Sequence, residues 1–427
     1  MNETRDTPVL VDRLFRTQAG RLVAHFARRF GPANLDLAEE VVQDALVAAL
    51  QHWPYRGVPH NPAGWLYRVA CHRAFDILRR RAAFDAQAGR IARELARDRV
   101  SGAANEAAES AALADDELRM VLVCCHPALS REARVALSLK TVGGLGVHEI
   151  ARALLSDSRA VAQRLVRAKR QIRTLGLPFE LPASPALGER VESALDVIYL
   201  MFNEGYGAHD GENLVRADLC REAIRLGRLI TGAPEIADRR ADALVALMAL
   251  HAARLPARVD AAGELVLLED QDRSLWDRSL LALGFECLDR SIGGDELSTY
   301  HLQAAIAAAH AQAADPAGTD WPTILGLYDE LLELNASPVV ALNRAIALAR
   351  VRGPAAGLAA LAPLARRREL SGYYLLPAVR ADLLVRLGRQ PAARRAYQEA
   401  LRCRASAPER RFLESRLARL TSHRRSA

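Results

Sequence analysis

The stretch Ser158–Arg173, SRAVAQRLVRAKRQIR, carries residue types suited to reading a nucleic acid. Gln163 and the guanidinium groups of Arg159, Arg164 and Arg167 can pair with base edges in a duplex groove. Lys169 and Arg170, near the far end, suit phosphates. A solvated basic helix face is the plainer reading of such arginines. The order of residue types, base-reading first and phosphate-binding after, favours duplex DNA. A second set lies upstream in AGWLYRVACHRAFDILRRR, where Trp65 accompanies Arg68, Arg73, Arg79, Arg80 and Arg81. Exposed aromatic and arginine side chains together can stack on unpaired bases and hold their phosphates. Trp65 and Tyr67 serve equally well as core aromatics. A third set is acidic: Asp36, Glu39, Glu40 and Asp44 share the exposed side of one predicted helix. Such a face is usually just solvated, but within a basic half it also suits docking of a basic partner helix.

Catalytic and metal chemistry find little support. Asn203, Glu204, Tyr206, His209 and Asp210 share a glycine-containing loop, without a legible nucleophile–base arrangement or metal spacing. They make a candidate regulatory loop, with Asn203, Glu204 and Tyr206 at its start. Among six cysteines only Cys124-Cys125-His126 clusters. Adjacent cysteines reach one tetrahedral metal poorly and no second ligand pair is near, so packed free thiols are expected, with no metal or cofactor.

The elements that must position these residues are helical. Hydrophobic content is 50% with only 5% aromatic, and Ala, Leu and Arg abound, favouring an all-α fold. Val9 to Phe30 reads as a first helix ended by Gly31-Pro32. A second runs from Asp36 to Trp53, where Pro54 stops it. A third runs from Ala63 to Arg81 after the His60-Asn61-Pro62 turn. Ala82 to Ala114 reads as a partly helical, mobile linker. Past a helix holding Leu118, Val121, Leu122 and Cys125, Ser130 is placed to cap the next helix, with Val135 and Leu139 on one face and Gly143-Gly144 ending it. A short helix over Val147–Leu154 buries Ile150 and Leu154. Ser156-Asp157-Ser158 then turns the chain into the basic helix, whose apolar stripe is Val161, Leu165, Ala168 and Ile172. A short helix, a tight turn and a basic second helix is helix-turn-helix geometry.

At 427 residues the chain exceeds one typical domain. The net charge of +7 is modest, so binding of a polyanion must come from local clusters. Without a run of about 18 apolar residues or a signal-peptide core, the expected location is the cytoplasm, with no membrane contact.

Two segments carry a family resemblance. AEEVVQDALVAALQHW with NPAGWLYRVACHRAFDILRRR resembles domain two of bacterial RNA polymerase sigma factors. DDELRMVLVCCHPALSREARVALSLKTVGGLGVHEIARALL with VAQRLVRAKRQIR resembles domain four. With only a short linker between them, the chain resembles the extracytoplasmic-function sigma factors over about residues 9–175. The resemblance implies domain two over 1–85, a linker over 86–114 and domain four over 115–178. It implies that the helix of Asp36, Glu39, Glu40 and Asp44 docks on the clamp helices of core polymerase, with the flap as a second contact. It also implies that His60-Asn61 and the Trp65–Arg81 helix melt the minus-ten element and hold a flipped base, while Ser158–Arg170 reads the minus-35 duplex.

Pro178–Pro185 marks a boundary, and residues 188–427 form an extension that the simplest members of that family lack. In it, YDELLELNASP from Tyr328 lines up with YQEALRCRASAP from Tyr397, an offset of 69 residues. That is close to twice the tetratricopeptide period of about 34. Ala345, Leu348 and Gly353-Pro correspond to Ala381, Leu384 and Gly388, small residues that let paired helices pack into a concave surface, a place for a protein partner. Glu264–Leu280, ELVLLEDQDRSLWDRSL, is acidic with a short apolar run, a composition fitting a loop or an inter-domain contact. The FNEGY segment with this tail resembles a subgroup in which such an extension governs activity. Two alternatives stand beside a sigma factor with a regulatory extension. One is a helix-turn-helix regulator with a repeat sensor domain, the other a C-terminal ligand-binding or enzymatic domain.

Overall fold

The computed structural model describes residues 18–81, 106–154, 156–181, 185–207, 216–236, 238–260, 263–293 and 297–422. The described residues are joined almost entirely by helices, with two isolated β-bridges. The chain divides into two compact units, Met1–Leu200 and Met201–Ala427.

In the first unit, α1 (residues 18–30) is followed by α2 (Leu35–Arg56) and α3 (Pro62–Arg81). Leu22, Phe26 and Phe30 of α1 are buried, and Phe26 stacks on Phe30 and Tyr67. Pro54 does not end α2. The helix runs on to Arg56 and stops at Gly57, whose φ of 77° favours glycine. The part of the expected linker that is described, from Glu106 on, is helical and forms α4 (Glu106–Cys124). The rest of that linker, and the start of the first expected helix, lie outside the described residues.

Helices α5 (Arg131–Thr141), α6 (Val147–Ala153) and α7 (Ser158–Leu175) make the helix-turn-helix. Ser130 caps α5, its Oγ accepting from the Ala133 amide at 3.3 Å. Asp157 caps α7 by accepting from the amides of Arg159 and Ala160. The stripe Val161, Leu165, Ala168 and Ile172 is buried, as its spacing predicts.

Buried carboxylates hold α1 against α4. Glu117 takes the Arg21 guanidinium at 3.2 Å, and Asp116 takes Arg28 at 2.8 Å and His25 Nδ1 at 2.9 Å. Neither carboxylate residue is exposed to solvent. The approach of α1 to the end of α5 is close enough that a Cβ on Gly20 would meet the Val142 carbonyl.

α8 (Ala186–Tyr206) opens the rest of the chain, and the division between the units falls within it. The second unit continues with α9 (Ala217–Thr231), α10 (Arg239–Ala252), α11 (Arg278–Ser291) and α12 (Thr299–Gln312). Then come α13 (Trp321–Leu334), α14 (Pro338–Arg352), α15 (Pro354–Leu361), α16 (Leu375–Arg386), α17 (Gln390–Arg402) and α18 (Ala407–Ser422). Ala345 and Ala381 are fully buried. A Cβ on Gly357 would sit 2.5 Å from that of Ala349, so the helices here approach as closely as small residues permit. The Glu264–Leu280 segment folds as two short 3-10 turns, and its Asp277 caps α11.

Candidate functional site

The turn before α7 sets how that helix is presented. His148 on α6 reaches the Ser158 Oγ at 2.9 Å, tying the two helices of the motif together. Arg159, Gln163, Arg167 and Arg170 are exposed and Arg164 is half-buried. None of these arginines forms an ion pair among the described residues. Between them Val166 stands 68% exposed, an apolar side chain opposite the buried stripe. Sequence reasoning passed it over, yet its misfit to the 161/165/168/172 stripe is itself the signal. Val166 adds a methyl surface of the kind that contacts thymine.

Lys169 occupies a different setting. Its ammonium lies 2.8 Å from Asp36 Oδ1 and 2.9 Å from Glu39 Oε2, and its side chain is only 13% exposed. Arg173 adds a contact to Asp36 at 3.2 Å and donates to the Ala33 carbonyl. Burial pulls the Lys169 pKa down, but the Glu39 and Asp36 carboxylates outweigh it and hold it above its usual value. The expected phosphate contact of Lys169 is therefore replaced, in this conformation, by an ion pair to α2.

The acidic set on α2 splits accordingly. Asp36 and Glu39 are taken by α7, whereas Glu40 and Asp44 are exposed without an ion pair among the described residues. Along the same exposed side stand Val47, 51% exposed, and Leu50, 46% exposed. An exposed face mixing acids with apolar residues suits a partner that is both basic and apolar.

The third set sits around the α2–α3 corner. Asn61 caps α3, its Oδ1 accepting from the Gly64 amide at 2.8 Å, beside exposed His60. Trp65 is half-buried, edge-on to Trp53 at 5.4 Å. Arg68, Arg73, Arg79 and Arg80 are exposed, and Arg79 lies over the Phe75 ring. Tyr55, in the last turn of α2, is 89% exposed and offers a flat ring beside this corner. It escaped the sequence reading because a helix stopped by Pro54 would have left it in a loop.

Asn203 and Tyr206 fall at the end of α8 rather than in an open loop, and His209 and Asp210 lie outside the described residues. Arg258 lies 3.9 Å over the Tyr206 ring and donates to the Tyr206 carbonyl. Glu204 is half-buried. Burial pushes the Cys125 thiol up to about 12, so it packs as a neutral group.

A helix-turn-helix with an unpaired basic face, joined to an aromatic and arginine-rich helix, defines a helical DNA-binding protein. The family Sigma-70 region 2 matches residues 16–84, and Sigma-70, region 4 matches residues 119–172. The chain belongs to the sigma-70 family of RNA polymerase sigma factors and carries a C-terminal extension, whose residues 190–292 match a family of unknown function, DUF6596. An uncharacterized protein of Rhizobium meliloti (strain 1021) is 42% identical over 393 residues, covering 91% of each chain. No solved structure matches. The two sigma regions imply binding to core RNA polymerase and to promoter DNA. No helix among the described residues is long and apolar enough to cross a membrane.

Proposed function

We propose that the chain is a sigma factor of the extracytoplasmic-function type, in which α7 reads the minus-35 duplex and the α2–α3 corner holds the melted minus-ten strand. The observation that carries the first assignment is the unpaired face of α7. Arg159, Arg164, Arg167 and Arg170 make no ion pair among the described residues, whereas Arg225, Arg290 and Arg380 each meet a carboxylate. Gln163 and Val166 on the same helix supply a hydrogen-bonding amide and a methyl surface for base edges. Ser158, His60, Asn61 and Trp65 complete the assignment. Ser158 ties the helix start to His148, and the corner residues stand beside exposed Tyr55 to stack an unpaired base. Trapping that base offsets an unpairing cost of about a few kcal/mol, so sequence selects where the duplex opens.

Glu40 and Asp44, with Val47 and Leu50, form the free part of the polymerase-docking face. Asp36 and Glu39 belong to the same face and are occupied by Lys169 and Arg173. Full docking on α2 then requires α7 to let go. The second unit, read as a tetratricopeptide-like extension, regulates this engagement through a protein or ligand it binds. The experiment is run-off transcription with core polymerase and either the full chain or residues 1–200, the first compact unit. A sigma role with a regulatory extension gives initiation from both forms at shared promoters but at different levels. Equal levels would remove the regulatory role. Retained duplex binding without initiation from either form would favour a simple helix-turn-helix regulator.

A further inference from the structure

Helices of the second unit surround a cavity of about 420 Å³, within the range of small-molecule sites. Four guanidinium groups line it, those of Arg273, Arg350, Arg386 and Arg416, against the carboxylates of Glu269 and Asp382. Glu269 is already bound by Arg350. Arg386 and Arg416 have no carboxylate partner among the described residues, so the cavity keeps an excess of positive charge.

The walls are flat and apolar. Trp321, Tyr328, Tyr397 and Phe412 all face the cavity, and Tyr328 and Tyr397 are the two tyrosines related by the internal repeat. Arg350 lies 5.3 Å from the centre of the Trp321 ring and Arg416 lies 5.1 Å from that of Phe412. Each of these guanidinium groups lies within cation–π range of an aromatic ring of the cavity wall. Burial pushes the Tyr328 hydroxyl up to about 12, which keeps it a neutral donor.

Arg273 and His310 line the cavity as well. Arg273 donates to the His310 and Ala313 carbonyls while its Nε has no partner among the described residues. His310 is held uncharged, its pKa lowered to about 4 by burial and by the Arg254 and Arg273 charges.

We propose that this cavity binds a small organic anion, a flat apolar body set between the ring walls with one carboxylate, sulfonate or phosphate group held by Arg386 and Arg416. The assignment stands independently of the sigma reading, because none of these residues belongs to the DNA- or polymerase-contacting sets. An acidic peptide shares the charge, but a cavity of this size favours a compact ligand.

The test is a fluorescence titration of the full chain with 1-anilinonaphthalene-8-sulfonate, beside its uncharged analogue N-phenyl-1-naphthylamine. Saturable sulfonate binding is expected at one site. Arg386→Gln with Arg416→Gln should weaken it by about tenfold or more, each substitution removing a charge-assisted hydrogen bond. The uncharged probe should bind both forms alike. Arg386 is exposed, so Arg386→Gln alone preserves the fold and should give an intermediate weakening, and Arg416→Lys should recover part of the affinity. Equal sulfonate affinity in wild type and double variant, or equal weakening for both probes, would overturn the proposal. Tighter binding of a fluorescein-labelled acidic dodecapeptide, with the same dependence on the two arginines, would overturn the small-ligand assignment.

Discussion

Arginines on α1 and on α7 belong to the same compact unit but differ in what they meet. Arg21 and Arg28 on α1 end on Glu117 and Asp116, two carboxylates closed off from solvent. Arg159, Arg164, Arg167 and Arg170 on α7 make no ion pair among the described residues. A buried carboxylate without its cation is expensive, so the first pair of arginines is committed to the fold. The second set costs nothing to leave unpaired in water and remains available to a polyanion. Position, not residue type, separates structural from functional arginine here.

The comparison breaks most readily at its buried end. Arg21→Ala with Arg28→Ala should destabilise the first unit by about 3–5 kcal/mol, seen as a lowered unfolding midpoint in denaturant. A change under about 1 kcal/mol would mean that Asp116 and Glu117 are satisfied without them. At the exposed end, Arg164→Ala with Arg167→Ala should leave that midpoint alone. Duplex promoter affinity should fall by about 1–3 kcal/mol for each arginine–base pairing removed, and the dependence on salt should flatten. A lowered midpoint with unchanged DNA affinity would invert the assignment.

The second unit offers a pH contrast. Burial lowers His251 to about 3 and His310 to about 4. Folded-state values below the unfolded value of about 6.5 mean that the unfolded chain binds more protons between those limits. Stability should therefore fall as pH drops below about 6.5, by up to about 1.4 kcal/mol per pH unit for each histidine. His251→Gln should flatten this slope in chemical denaturation followed from pH 7 to pH 5. An unaltered slope would place the acid sensitivity elsewhere.

Lys169 stands between the two kinds of basic residue. Lys169→Ala should raise affinity for core polymerase by about tenfold, because an intramolecular competitor worth about 1 kcal/mol or slightly more is removed from Asp36 and Glu39. Unchanged affinity would show that the α2–α7 contact does not restrain docking. The smallest effect is expected from Val166→Ala, about twofold to threefold, confined to promoters with thymine opposite that side chain. Equal weakening on all promoters would assign Val166 to packing.

Much of this was legible in order along the chain. The Ser130 and Ser156–Ser158 caps, the 161/165/168/172 stripe and the exposed arginines follow from local chemistry, because caps and helical faces are set within a few residues. The ion pairs were not legible. Lys169 and Asp36 are 133 residues apart, and only the packing of α7 beside α2 brings them together. The same limit hid the burial of Asp116 and Glu117, two acids that spacing alone assigns to water. Pro54 misled because a proline in the last turn of a long helix can be tolerated when packing continues around it, as buried Trp53 shows. The expected boundary at Pro178–Pro185 precedes α8, whose Ser193 takes Arg134 of α5 within the first compact unit.

The most direct test is initiation by the full chain with core polymerase on a library of promoter fragments, with start sites mapped, repeated for Arg164→Ala with Arg167→Ala. Starts that require both proteins, share two spaced elements and lose their upstream preference in the variant are expected. Duplex binding by the full chain without any polymerase-dependent start, or a variant that initiates at the same sites with the same preference, would contradict the account.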